Sequence, residues 1–397
     1  MKALVLLMLI LIGFNTNAQW QDTYPASQQM NCVTASGTNV FAGRAGGGIE
    51  GSLDSGVSWT NCCSNGMVYP YIWSIMVDDT NVLAATGSGV YLSTDSAANW
   101  IPISSGLIAT TPFDTTVYTI LKNGPNLFAG TAGEGVFISA NYGGNWSAVN
   151  NGLTNQFVRV LAADNMNLYA GTAGGGVFIS NDSGSNWTDS NSGLTNGNVT
   201  AITIDGTNIY AGTSGGGIFL SNDNGTNWVA INNGLLNLQI TAMTSENGNI
   251  YAGTNGGGVY VSLDNGANWT AENSGLTNSN ISGLSISGTT IYASIYLGGV
   301  WKRSLSQMVE VTELNLQYQL NVYPNPLSSV TTINTNIPLK NATLKLENYL
   351  GQTVRHLKNL NGQTNTLHLD NLQDGLYFMQ LIEDNIIVAT KKIVVKH

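Results

Sequence analysis

Short runs of Val, Ile, Leu, Tyr and Phe bounded by Gly and Asn recur along the chain, with no stretch carrying apolar residues at helical spacing. One unit serves as a template: Val199 to Asp205, Ile209 to Thr213, Gly217 to Ser221, and a last run starting at Trp228. Four such runs predict four short strands. The unit repeats, because Trp59, Trp100, Trp146, Trp187, Trp228 and Trp269 follow one another at intervals of 41, 46, 41, 41 and 41 residues. The large residue near the start of the second run is a further ruler, Phe41, Leu83, Phe128, Tyr169, Tyr210, Tyr251 and Tyr292, and it counts seven units. A period of about 41 residues with four strands in each predicts an all-β chain whose main body is a seven-bladed β-propeller.

The seventh unit stops after Gly298-Gly299-Val300-Trp301-Lys302-Arg303 and lacks a fourth run. A ring of blades must close, because an open sheet edge invites pairing with other chains. Trp20 lies 21 residues before Phe41, nearly where Trp187 lies before Tyr210, at 23. The segment around Trp20 is therefore expected to supply the outermost strand of blade seven.

Residues Met1 to Ala18 hold one lysine, an apolar core from Leu4 to Phe14 and a small-residue end. This reads as a signal peptide and is too short to span a bilayer. The expected organisation is a signal peptide over 1–18, the propeller over 19–309, a linker over 310–319 and a small β-sandwich over 320–397. An exported protein, secreted or held at the cell surface and without a transmembrane segment, follows.

Composition narrows the partners. Only 9% of residues are charged, and the propeller holds sixteen acidic residues against five basic ones, whereas the part from Glu310 onward has seven of each. Nucleic acid is excluded as a partner, since phosphate binding needs clustered Lys and Arg. Three cysteines, Cys32, Cys62 and Cys63, allow at most one internal disulfide; they lie on strands that are not neighbours, so buried thiols are favoured and the pairing stays open. No metal-ligand spacing occurs, and neither a metal nor a cofactor is expected.

Each tryptophan closes an S-x-D-x-G-x-x-W pattern, as in Ser52, Asp54, Gly56 and Trp59, with Asp182, Asp223 and Asp264 in later copies. The second copy keeps Asp95 but has Ala97 for Gly, and the third has Asn141 for Asp. The carboxylate is expected to accept backbone N–H groups of the turn while Trp buries its ring beneath. These residues resemble the Asp-box, or bacterial neuraminidase repeat, found in sialidases, xyloglucan-cleaving glycosidases, sortilin-type receptors and photosystem assembly factors. The resemblance implies a structural box, on the face away from any active site. Sialidase chemistry would need three converging arginines, and the propeller has Arg44, Arg159 and Arg303 at three different strand positions. Xyloglucan cleavage in the similar glycosidases uses a cleft between two propellers, and this chain has length for one.

Departures from the repeat mark the candidate site. Ten residues before each ruler residue, near the start of the innermost strand, stand Asn31, Trp73, Tyr118, Arg159, Thr200, Thr241 and Ser282. Three consecutive blades thus place Trp, Tyr and Arg where the others place small polar residues. The loop between second and third strands changes to Arg44 in blade one, Glu134 in blade three and Ile295-Tyr296-Leu297 in blade seven. The connections entering blades two and three carry Tyr69-Pro70-Tyr71 and Phe113-Asp114. Aromatic residues beside Arg and a carboxylate suit a sugar or a peptide. Trp73 and Tyr118 could equally plug the axial channel as packing. Asp114 and Glu134 form the one carboxylate pair placed for glycoside hydrolysis.

After Val309 the rhythm ends. Tyr323-Pro324-Asn325-Pro326, Leu350-Gly351-Gln352, Gly375-Leu376-Tyr377 and the finish Lys391-Lys392-Ile393-Val394-Val395-Lys396 resemble the C-terminal sorting domain of the type IX secretion system of the Bacteroidetes. The resemblance implies the secretion machinery as a partner and passage across both membranes. Together these readings point to a secreted or surface-displayed non-catalytic binding or adhesion propeller, its ligand a glycan or a surface protein. A glycan-acting hydrolase and a structural surface or matrix protein are the alternatives.

Overall fold

Small residues decide how closely the repeats can stack. In the second strand of blade five, Asn208–Thr213, Tyr210 is fully buried and Gly212 faces the next blade, where an added Cβ would lie 2.6 Å from Ile240 Cγ2. Gly171 stands in the same relation to Val199, also at 2.6 Å. Glycine there lets the first strand of the next blade seat against its neighbour, and any larger residue would overpack the seam.

The computed structural model describes residues 19–24, 28–61, 65–107, 116–164, 166–308, 319–327, 330–348, 352–369, 372–383 and 386–396. The chain divides into two units, Met1–Val309 and Glu310–His397. In the first, seven antiparallel sheets of four strands carry out the pattern read from the repeat. Their first strands are Met30–Ser36, Ile72–Asp78, Val117–Asn123, Val158–Ala163, Val199–Asp205, Ile240–Glu246 and Ile281–Ser287. Each neighbours the next in a closed ring, with Met30–Ser36 lying between Ile72–Asp78 and Ile281–Ser287. The fourth strand of blade seven is Gln21–Tyr24, paired antiparallel with Gly299–Ser304, so the N-terminal segment closes the ring as expected.

Tryptophans of blades three to seven hold one blade to the next, whereas the buried indole nitrogens of Trp59 and Trp100 have no hydrogen-bond partner among the described residues. Trp187, Trp228 and Trp269 are buried, and their indole N–H groups donate to the carbonyls of Val149, Ser190 and Ile231 on the preceding blade's outer edge at 2.7, 2.8 and 2.7 Å. Trp20 does the same toward Glu272, at 2.7 Å. It takes the seventh tryptophan position although Trp301, in the third strand of that blade, is nearer in sequence.

The S-x-D-x-G-x-x-W turn closes on itself. In blade five Ser221 donates to Asp223 Oδ1 at 2.8 Å and accepts the Gly225 N–H at 2.8 Å, while Asp223 accepts the Asn227 N–H and the Asn227 side-chain amide, both at 2.9 Å. Asn224 and Gly225 both adopt positive φ, 55° and 83°, which is why Asn and Gly stand there. In the third blade Asn141 accepts the Asn145 N–H at 2.9 Å, so an amide oxygen keeps the turn without a charge.

In the second unit, strands Leu320–Tyr323, Val330–Asn348, Gly375–Glu383 and Ile386–Val395 form one sheet in that order, and Thr353–His368 pairs with Val330–Asn348 as well. Register shifts between Asn334 and Leu344 interrupt the long pairing, and the core holds Ile333, Leu344, Leu346, Leu367, Met379, Leu381 and Ile393. The sequence pattern expected short runs; Thr353–His368 is instead a sixteen-residue strand whose largely exposed residues carry little apolar alternation.

Candidate functional site

Six of the seven blades expose a junction on one face where the loop between second and third strands meets the connection into the next blade. Isolated bridges tie Ala132 to Phe157, Ala173 to Asn198, Ser214 to Gln239, Asn255 to Asn280 and Gln29 to Tyr296, and the Gly48 N–H of blade one donates to Pro70 O at 3.1 Å. These loops therefore share one face, with the axis of the ring at its centre.

Around that axis, blades with small residues seal their seams by hydrogen bonds. Thr200 Oγ1 donates to Ile240 O at 2.7 Å, Thr241 Oγ1 to Ile281 O at 2.6 Å, and Asn31 Nδ2 to Ile72 O at 2.9 Å. In blades two to four rings replace this seam. Tyr71 and Trp73 pack with centroids 4.7 Å apart, Trp73 meets Tyr118 edge to face at 4.7 Å, and Tyr118 meets Phe157 at 5.3 Å. Arg159 Cζ lies 5.7 Å from the Phe157 centroid, in cation–π range. The four rings are half-buried and Arg159 is exposed.

Beside this run lies a hollow of about 430 Å³, lined by Asn31, Trp73, Thr241, Ser282 and Tyr296 among others. Trp73 thus presents a surface to open space as well as packing on Tyr118. Burial is the leading cause that pushes the Tyr118 hydroxyl above its usual range, with the Arg159 charge opposing it. Tyr69 is 77% exposed and Tyr296 41% exposed, at the rim.

Other candidate residues sit elsewhere. Arg44, expected at the ligand face, is 9% exposed and ion-paired with Glu50 at 2.9 Å, and it donates to Gly47 O and Gln28. Burial raises the Glu50 carboxyl while Arg44 opposes the shift, so the guanidinium serves the interior of blade one. Arg303, 4% exposed, pairs with Glu272 at 3.0 Å. Three arginines around one ligand carboxylate are therefore not present in this ring. Glu134 is half-exposed on the loop that bonds Gln156 through Gly135. Asp114 lies outside the described residues, as do Cys62 and Cys63; Cys32 is a free thiol that burial pushes up to about 12.

Phe157 escaped the sequence reading. It sits two residues before Arg159, in the register occupied by Tyr71 in blade two and by Gln29, Thr116, Asn198, Gln239 and Asn280 elsewhere. Comparing the repeat at that one further position would have found it.

In the second unit the two ends of the sorting motif are joined. Asn325 Oδ1 accepts the Val394 N–H at 2.9 Å, the Leu327 N–H donates to Val394 O at 2.8 Å, and the Lys396 N–H to Leu327 O at 2.9 Å. The Tyr323-Pro324-Asn325-Pro326 loop is thereby fastened to the last strand, with Tyr323 half exposed at 51%. Tyr377, beside Gly375, is buried and donates to Gln373 O at 2.9 Å. Gly351 lies outside the described residues.

Fold and motif define a β-propeller followed by an export tail. Residues 321–396 match the family model of the secretion system C-terminal sorting domain, which places the chain among the proteins that the type IX secretion system carries to the cell surface. Among solved structures the chain resembles PorZ, a surface component of the type IX secretion system of Porphyromonas gingivalis, at 16% identity and TM-score 0.57 over 93% of this chain and 60% of that one. It also resembles the extracellular domain of BT3049 from B. thetaiotaomicron, at 15% identity and TM-score 0.59 over 94% of this chain and 56% of the other. YCF48 bound to a D1 peptide aligns at 14% identity and TM-score 0.58, over 72% of this chain and 96% of that one. At these identities the likeness is one of fold, and the chain spans 60% and 56% of the length of the first two. No curated protein matches it in sequence. Among the described residues no helix is long and apolar enough to cross a membrane.

Proposed function

We propose that the chain is a surface-delivered, non-catalytic binding propeller that takes a glycan or a surface protein at the axial mouth of blades two to four. The observation that carries this is the continuous run Tyr71, Trp73, Tyr118 and Phe157 ending on the exposed Arg159, beside an open hollow. Rings offer large rigid contact area at little entropic cost, and a guanidinium free of any carboxylate among the described residues fixes an acidic or hydroxyl-bearing group. The peptide-bound YCF48 structure shows that a propeller of this fold can hold a peptide.

The S-x-D-x-G-x-x-W turns read as Asp-box repeats, with Asp54, Asp95, Asp182, Asp223 and Asp264 structural rather than catalytic. Each of these carboxylates is already engaged by the turn it closes, through the bonds to Ser58, Asn99, Asn186, Asn227 and Asn268. Hydrolysis through Asp114 and Glu134 is the enzyme alternative.

An array of glycans and extracellular-matrix proteins probed with the mature chain and with a Trp73→Ala/Arg159→Ala variant tests the proposal. Binding that the variant loses supports it; binding that the variant keeps in full would move the site off the axial mouth.

A further inference from the structure

The junction between blades four and five departs from the repeat. At the two positions that end the outermost strand and follow it, blades three, five and six carry Ala148-Val149, Ala230-Ile231 and Ala271-Glu272, whereas blade four carries Asp189-Ser190. In two neighbouring junctions the aliphatic side chain packs on the turn glycine of the next blade, Val149 toward Gly184 and Ile231 toward Gly266. At Gly225 that place is taken by the small Ser190, which donates to Gly225 O, with Ile179 alongside.

A hollow of about 560 Å³ lies on this junction, with Ile179 in its wall. Pockets of this size are typical of small-molecule sites. Its rim brings together Asn181, Thr188, Asp189 and Asn224, all exposed, and no hydrogen bond within the described residues engages their side chains. Neighbouring groups are fixed: Asn191 Oδ1 accepts the Val177 N–H at 2.8 Å and its amide donates to Gly175 O at 2.9 Å, while Thr226 donates to Asp223 O at 2.8 Å.

We infer that this hollow is a second binding site, separate from the axial mouth, and that it takes one neutral sugar unit of a glycan. Two carboxamides and a hydroxyl supply both donors and acceptors, as vicinal hydroxyls require. The Asp189 carboxylate accepts from hydroxyls through charge-assisted bonds, and Ile179 offers apolar contact to the C–H face of a ring. The same carboxylate, in a propeller with sixteen acidic and five basic residues, repels an acidic sugar.

Saturation-transfer NMR on the full mature chain tests this site, with the methyl glycosides of glucose, galactose, mannose and N-acetylglucosamine, and with methyl glucuronide as the acidic control. The expected result is saturation of at least one neutral glycoside and none of the glucuronide. Titration of that glycoside should show affinity falling at least tenfold in Ser190→Val, which restores the residue type of blade three, and in Asn181→Ala/Asp189→Ala, which alters exposed groups only. Binding should persist in Trp73→Ala/Arg159→Ala, which separates this site from the axial one. Absence of saturation for every neutral glycoside would overturn the inference, as would undiminished binding in the Asn181→Ala/Asp189→Ala variant.

Discussion

In five of the seven blades one tryptophan, Trp20, Trp146, Trp187, Trp228 or Trp269, joins two blades through a single N–H. Replacing Trp228 with Phe keeps most of the ring but leaves the Ser190 carbonyl without its 2.8 Å donor, a buried loss of about 1 to 3 kcal/mol. Urea denaturation of Trp228→Phe should show a midpoint lowered accordingly; an unchanged midpoint would mean the bond adds nothing to the seam. The turn carboxylates set the response to acid. Hydrogen bonds from the Asn99 side chain and backbone and from Ser93 hold the Asp95 carboxyl at about 2, and Asp182, Asp223 and Asp264 are lowered for the same reason, their Asn side-chain amides contributing most. A carboxylate whose folded pKa lies below its unfolded value of about 3.9 stabilises the fold above that value, and the contribution is lost as pH falls through the folded pKa. Melting temperature should therefore drop between about pH 5 and pH 2. Changing these four Asp to Asn should flatten that dependence, since Asn141 already holds its turn as an amide; a profile as steep as the wild type's would locate the acid sensitivity elsewhere.

At the scale of elements, Gln21–Tyr24 and Trp20 close the ring from the far end of the propeller sequence. Trp20→Ala removes a buried ring and an inter-blade bond and should cost about 3 to 5 kcal/mol. Because the closing strand ties the first-built segment to the last blade, the loss should lower one cooperative transition, seen by circular dichroism and by tryptophan fluorescence alike; a separate early transition confined to one probe would contradict closure of this kind. Blade count, the first strand Val199–Asp205 and the third strand Gly217–Ser221 were all legible in the sequence, because the burial of each strand repeats with the 41-residue ruler. The strand Thr353–His368 was not, because its residues face solvent along most of its length and leave no periodic signal. The candidate site was legible where a large residue interrupts a row of small ones, as at Trp73, Tyr118 and Arg159. It was misjudged at Arg44, where the partner Glu50 is contributed by the next strand and only pairing reveals it.

For the molecule as a whole, the propeller is a nearly uniform ring whose departures gather at the axial mouth and at the junction of blades four and five, and the tail supplies its address. In a bacterium with a working type IX system, Asn325→Ala should reduce surface display, since it removes the bonds that fasten the Tyr323-Pro324 loop to the last strand. Immunoblots of surface and periplasmic fractions would show the protein retained in the periplasm; full display would mean the fastening is dispensable. The most direct test of the central claim is isothermal titration of the mature chain, and of Trp73→Ala/Arg159→Ala, with the ligand that an array of glycans and matrix proteins yields, followed by mass spectrometry of that ligand after incubation. The account predicts affinity at least tenfold weaker in the variant and a ligand of unchanged mass. Equal affinity in both proteins, or a cleaved ligand, would contradict a non-catalytic site at the axial mouth.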